Sequence, residues 1–244
     1  MFDNIEGAEM VNILGDVSMR KIANLVIAID GPVGAGKSTV AKLVAERLGF
    51  LYINTGAMYR AITWKALQEG IDLEDEDALV ELARRCEITF ADNGGRVILN
   101  GVDVSQQIRF PEVDKNISTV VKFPRLREIM VQQQRRMGQG GRVVSEGRDV
   151  TTVVFPDADV KVYLDASLSE RAQRRYRELK QKGHEIDLAQ VKEDAARRDK
   201  ADKTREHGPL RVAPDAVSVD TTDMTIEQVV DEIVAIVERR THGS

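Results

Sequence analysis

The sequence predicts an α/β fold built on a parallel sheet, and three observations carry that prediction. Unbroken apolar runs alternate with amphipathic helical stretches along most of the 244 residues. The first such run, "LVIAID", breaks into glycines and opens at once into a helix. The chain closes on the same pattern, a strand "AVSVD" followed by a helix with a clean apolar stripe.

The elements follow in order. Residues 1–20 are acidic, show no sustained period, and are expected to form a poorly ordered extension. Leu25–Asp30 is a strand of the continuous apolar kind found in sheets covered on both faces. The helix from Lys37 puts Val40, Leu43, Val44 and Leu48 on one side and stops at Gly49. "FLYI" at 50–53 is a short strand, "GAMYRAITWKALQEG" a helix closed by Gly70, and "EDEDALVELARRC" a helix with acids at its positive end. The period then changes. "EITFADNGGRVILNGVDV" holds two strand-like runs punctuated by Asn-Gly-Gly and Asn-Gly, which predicts hairpins in an antiparallel insertion over roughly 85–115. Alternation resumes with a helix near Pro124, a strand "RVVSE", a loop "GRDVTT" and a strand "VKVYL". A basic helical stretch at 168–182 and a second one beyond Gly183 precede the last strand and helix. In that helix Thr225 and Gln228 make a capping box, and Ile226, Val229, Val230, Ile233 and Val237 make the stripe.

Composition narrows the function. With 42% hydrophobic and 31% charged residues, the chain is long enough for a sizeable core. A net charge of -5 argues against general nucleic-acid affinity, which needs an excess of Lys and Arg. One cysteine, Cys86, leaves no internal disulfide, and three histidines do not furnish a zinc set. Cys86 reads as a small buried apolar residue. The apolar runs are far shorter than the ~20 residues of a membrane span, and the start lacks a secretory pattern, so the expected location is the cytoplasm, with no membrane partner.

The glycine-rich turn carries the chemistry. Gly31-Pro32-Val33-Gly34-Ala35-Gly36-Lys37-Ser38 satisfies G-x-x-x-x-G-K-[ST] between a strand and a helix. In that setting backbone N–H groups converge on phosphate oxygens at a helix N-terminus. Lys37 then reaches the β- and γ-phosphates, and Ser38 ligates Mg²⁺. Three classes could use such a loop. A guanine switch would carry Asn-Lys-x-Asp, which is missing. A motor ATPase would carry an apolar strand ending in Asp-Glu, and the nearest run, "VKVYLDAS", does not. Kinases remain, with a slow ATP-hydrolysing regulatory or assembly protein as the alternative.

Phosphoryl transfer between two anions calls for arginines on mobile segments. The chain has Arg60 in "TGAMYR", Arg125 and Arg127 in "FPRLRE", and Arg148 in "EGRD". Arg171, Arg174, Arg175, Arg198 and Arg205 fall in the segment 168–205. That segment is either a solvated basic face or a lid divided at Gly183, and Arg177 reads as solvated.

The order "GPxGAGKS", "TGAMYR", "FPRLRE", "EGRD…VVFP", "VKVYLDAS…ERAQRR", "ARRDKADKTR" resembles the bacterial cytidylate kinase family of nucleoside-monophosphate kinases, from about Leu25 to Arg239. The resemblance implies a P-loop kinase fold with a central parallel sheet flanked by helices. It also implies one domain over 21–244, a nucleoside-monophosphate (NMP)-binding insertion over about 55–120, and a lid over about 168–208. The implied reaction moves the γ-phosphate of ATP to CMP or dCMP, with Mg²⁺, in a monomer; UMP is the alternative acceptor. Residues 31–39, Thr39 included, would cradle ATP phosphates. Arg60, Arg148 and Arg205 would hold the acceptor phosphate. Thr55, Arg127 and Asp149 would meet cytosine, and Ser118, Arg198 and Asp202 the ribose. Arg174, with Arg171 or Arg175, would close over the donor phosphates; the groups acting on the transferred phosphoryl would be Lys37, Arg148, Arg174 and Arg175. The residues also admit plainer roles: Thr55 as a helix cap, Asp202 and Arg205 as a surface ion pair, Asp149 as the partner of a neighbouring arginine. The family commonly has "GRDxGT", and here Thr151 stands at the glycine, which bears on that loop's backbone.

Overall fold

The computed structural model describes residues 24–181, 183 and 185–242. The expected extension at 1–20 lies outside them. Five parallel strands, β1 (Val26–Asp30), β2 (Leu51–Asn54), β6 (Val143–Gly147), β7 (Val160–Asp165) and β8 (Val217–Asp220), form one sheet in the order β2-β6-β1-β7-β8. β1 is central, with Val26 opposite Val143 and Ile27 opposite Val160, and every β1 residue after Val26 is buried. This burial on both faces explains the absence of alternation in its sequence.

Helices α1 (Lys37–Leu48) and α8 (Ile226–His242) cover one face, packing Val40, Val44, Val229 and Ile233 on Ile27, Ile29, Val162 and Leu164. The α1 stripe is turned slightly from its expected setting. Ala41 and Ala45 are fully buried, while Leu43 and Leu48 are only partly so. In α8 the capping box forms, with Thr225 N–H donating to Gln228 Oε1 (2.9 Å) and Gln228 N–H to Thr225 Oγ1 (3.3 Å). Ile226, expected in the stripe, is the first residue of the helix and is 46% exposed; Ile236 is buried instead.

The other face carries α2 (Thr55–Gln68), α3 (Glu76–Arg84) and α5 (Pro124–Gly138). Beside them β3 (Ile88–Ala91), β4 (Arg96–Leu99) and β5 (Val102–Asp103) form the expected antiparallel sheet. Asn100 and Gly101 both have left-handed φ, as a two-residue Asn-Gly turn requires. Cys86 is buried in this core.

The insertion ends in a helix that the hairpin reading passed over, α4 (Pro111–Val120). Its signals are local: Pro111 at the first position, Glu112 and Asp114 in the first turn, and Val113, Ile117 and Val120 turned inward. The lid segment is a helical pair, α6 (Leu168–Gln181) and α7 (Leu188–Thr204), packed on each other either side of Gly183. The "GRDVTT" segment, expected as a plain loop, runs into a single wide helical turn over Val150–Val154. Thr151 is not among the residues with left-handed φ, so this backbone does not require glycine there.

Candidate active site

The P-loop leaves the C-terminal end of β1 in the middle of the sheet, where open α/β folds bind ligands. A Cβ on Gly31 would lie 2.0 Å from the Leu164 carbonyl oxygen, so only glycine lets the chain turn over β7. A Cβ on Gly34 would lie 2.7 Å from the Arg171 carbonyl oxygen, which brings α6 against the loop. No side chain caps α1 at Gly36, so its first amides keep their capacity for an anion.

Lys37 is buried, and its Nζ donates to the Pro32 carbonyl at 2.8 Å. Burial first, and then the guanidinium of Arg148, push its pKa down to about 7, against the pull of Glu146. Ser38 Oγ donates to Glu146 Oε1 (2.7 Å), which also accepts from Tyr52 OH (3.2 Å), itself held by Asn54 Nδ2 (3.0 Å). Glu146 lies near the end of β6, the strand beside β1, and is buried. Sequence reading missed it. Its only signal was a carboxylate at the end of the run "RVVSE", in a strand whose position beside β1 could not be known.

Across the same strand ends, five arginines meet three carboxylates. Arg127 pairs with Asp149, both nearly buried, and lies over the Tyr59 ring at 5.6 Å. Arg205 reaches Asp149 at 3.3 Å and Asp202 at 4.0 Å, and Arg148 Nε donates to Asp202 at 2.8 Å. Arg60 pairs with Asp114 of α4. Arg198 shares this field: burial first, then Arg148, lower its pKa to about 10, with Arg60 adding in the same direction. Burial lowers that of Arg205 as well. This surplus of desolvated positive charge is the electrostatic form of an anion site.

A model of the cytidylate kinase family matches residues 27–239. The chain belongs to that family. Among similar relatives, the cytidylate kinase of Caldanaerobacter subterraneus subsp. tengcongensis is 51% identical, over 89% of this chain and 96% of that protein. That of Bacillus subtilis is 49% identical, over 88% and 97%.

Within this cytidylate kinase chain the remaining site residues divide. Asp202 and Arg205 are not a surface pair, since each side chain is only 15% exposed. Thr55 does not cap its helix. Asn54, one residue earlier, accepts from Ala57 N–H, and the Thr55 hydroxyl donates to the Glu146 carbonyl at 2.8 Å. Ser118 is exposed on α4, one turn beyond Asp114 and on the same side. Thr39 is exposed in the first turn of α1. Arg125 stays away from the cluster and pairs with Glu76 and Asp77.

On the lid, Arg171 is already engaged with the loop: it donates to the Val33 carbonyl (2.9 Å) and pairs with Asp199 (2.7 Å), which accepts from Val33 N–H (3.3 Å). Arg174 binds Thr221 through both its hydroxyl (2.9 Å) and its carbonyl (2.5 Å). Arg175 turns along its own helix to Glu178 (2.7 Å), and Arg177 is 61% exposed. The structure therefore joins Arg171 to the P-loop and does not bring Arg175 there. Among the described residues no helix is long and apolar enough to cross a membrane.

Proposed function

We propose that this member of the cytidylate kinase family is a Mg²⁺-dependent, monomeric, cytoplasmic enzyme that transfers the γ-phosphate of ATP to CMP or dCMP. The observation that carries the reading is the placement of Lys37 beside Arg148 at the end of the central strands, with the donor loop on one side and the arginine cluster on the other. An acceptor phosphate oxygen attacks the γ-phosphorus, the bond to the β-bridging oxygen breaks, and its electron pair leaves with ADP. The protein supplies position and charge: Lys37 and the loop amides on the donor, Arg60, Arg148 and Arg205 on the acceptor phosphate. Arg198, Asp202 and Ser118 face the ribose, and Arg127, Asp149 and Thr55 the base. Arg174, with Arg171 or Arg175, closes over the donor from the lid.

Ser38 and Glu146 offer hard oxygen donors in contact with each other, a set that suits Mg²⁺. Ser38 and Glu146 would hold the ion, which would neutralise phosphate charge on the donor. Glu146→Gln is expected to raise the Mg²⁺ concentration for half-maximal activity by roughly 10–100-fold, at least what losing even a supporting outer-shell partner costs. A Mg²⁺ titration at saturating substrates checks this; an unchanged midpoint would assign Glu146 to packing alone.

A coupled assay for ADP release with CMP, dCMP, UMP and no acceptor tests the function itself. CMP or dCMP should support the highest kcat/KM; turnover independent of acceptor would instead favour a regulatory ATP-binding protein. On the lid, Arg174→Ala and Arg175→Ala are expected to lower kcat by about 10², and Arg177→Ala to leave it within about twofold. Equal, small effects of all three would assign the helix to a solvated face.

A further inference from the structure

Asp30, the last residue of β1, is fully buried and takes no part in the chemistry above. Its carboxylate accepts three hydrogen bonds, all from one segment: Val150 N–H (3.0 Å), Thr151 N–H (2.7 Å) and the Thr151 hydroxyl (2.7 Å). Burial first, with a smaller push from the charge of Asp149, raises its pKa to about 6 against the pull of these three donors, which stabilise the charged form where it stands.

The two ends of this contact belong to different halves of the site. Asp30 leads directly into Gly31 and the P-loop. Val150 and Thr151 directly follow Arg148 and Asp149. The β1–β6 ladder ends with Asp30 opposite Gly147, so beyond that point strand pairing no longer holds the acceptor segment in place. The turn that follows is built on Asp149 itself, whose carbonyl accepts from Val153 N–H (2.8 Å) and Val154 N–H (3.1 Å). Holding its first two residues therefore holds Asp149 and Arg148.

We propose that Asp30 and Thr151 are positioning residues: together they tie the Arg148–Asp149 segment to the root of the P-loop and set the distance between acceptor and donor. Thr151 is 2% exposed, and packing alone would be met as well by valine, which has the same shape and no hydroxyl. The hydroxyl adds the third tie. This inference rests on the reading that Arg148 and Asp149 meet the acceptor.

Steady-state kinetics of Thr151→Val, Thr151→Ser and Asp30→Asn, varying CMP and ATP separately, test it, with Asp149→Ala measured alongside. Thr151→Val should raise KM for CMP about tenfold, as small displacements of a binding group do, while KM for ATP stays within about twofold. Thr151→Ser, which keeps the hydroxyl, should return KM for CMP to within about twofold of the parent, and Asp30→Asn should raise it at least as far as Thr151→Val. Should valine's methyl not be accommodated, Thr151→Ala removes the same hydroxyl without bulk and carries the same expectation. The tie is overturned if serine behaves like valine, or if thermal stability falls while KM for CMP stays put. If KM for CMP is unmoved by Thr151→Val but rises in Asp149→Ala, the tie is wrong and the acceptor reading stands; if neither variant moves it, the acceptor reading fails too.

Discussion

Lys37→Ala is expected to lower kcat by a factor on the order of 10³ while the protein stays folded. The ammonium is buried beside Arg148, with Pro32 O as its hydrogen-bond partner, in a setting that already draws its pKa down to about 7. Truncation therefore removes a poorly solvated charge and leaves no carboxylate orphaned, so the fold has little to lose. The transferring phosphoryl group has much to lose. Charge spreads over its oxygens in the transition state, and a fixed ammonium in a desolvated pocket acts on that charge more strongly than on the ground state. Single-turnover measurements with ATP and CMP, beside a thermal melt, check both halves. Near-normal turnover would mean that the loop does not act on the reaction.

Asp149→Ala is expected to lower kcat/KM for CMP by about 10² and to narrow the ratio between CMP and UMP. Cytosine presents a 4-amino group that donates, uracil an oxygen that accepts, and an ionised carboxylate only accepts. A hydrogen bond to a charged group contributes ~1.5–3 kcal/mol, and the mismatched acceptor pair loses a similar amount, so the carboxylate alone can sustain such a ratio. Arg127 and Arg205 both pair with this carboxylate, and Arg127 is itself laid over the Tyr59 ring. The measurement is kcat/KM for both acceptors in parent and variant. Equal losses on CMP and UMP would make Asp149 an orienter of its arginines, with the base read elsewhere.

What could be read from the chain alone follows the range of the interactions concerned. The P-loop, the capping box at Thr225 and the Asn-Gly turn are written in adjacent residues, and all three appear where expected. Helix α4 was equally local and was missed because the hairpin pattern was carried too far past Asp103. The plainer role open to Thr55, a helix cap, falls one position earlier, to Asn54 at the end of β2, which is as good a cap. Glu146 could not be singled out: its partner Ser38 lies 108 residues away, and only the placement of β6 beside β1 joins them. The arginines were visible as residues, but their pairing with Asp114, Asp149 and Asp202 is a property of the folded cluster.

The central position of β1 also governs how the chain comes into being on the ribosome. Residues 26–30 emerge while both of their partners, at 143–147 and 160–163, are still to be synthesised. At roughly 5–20 residues per second, the nascent strand waits on the order of ten seconds with two open edges and an apolar sequence. Closing so long a loop contributes little until β6 arrives, so before then α1 can cover only one face of "VIAID", and both strand edges stay open. A message truncated or stalled between α1 and β6 would therefore release a fragment whose most buried strand is its most adhesive surface, and chaperones that recognise extended apolar segments would find their site here first.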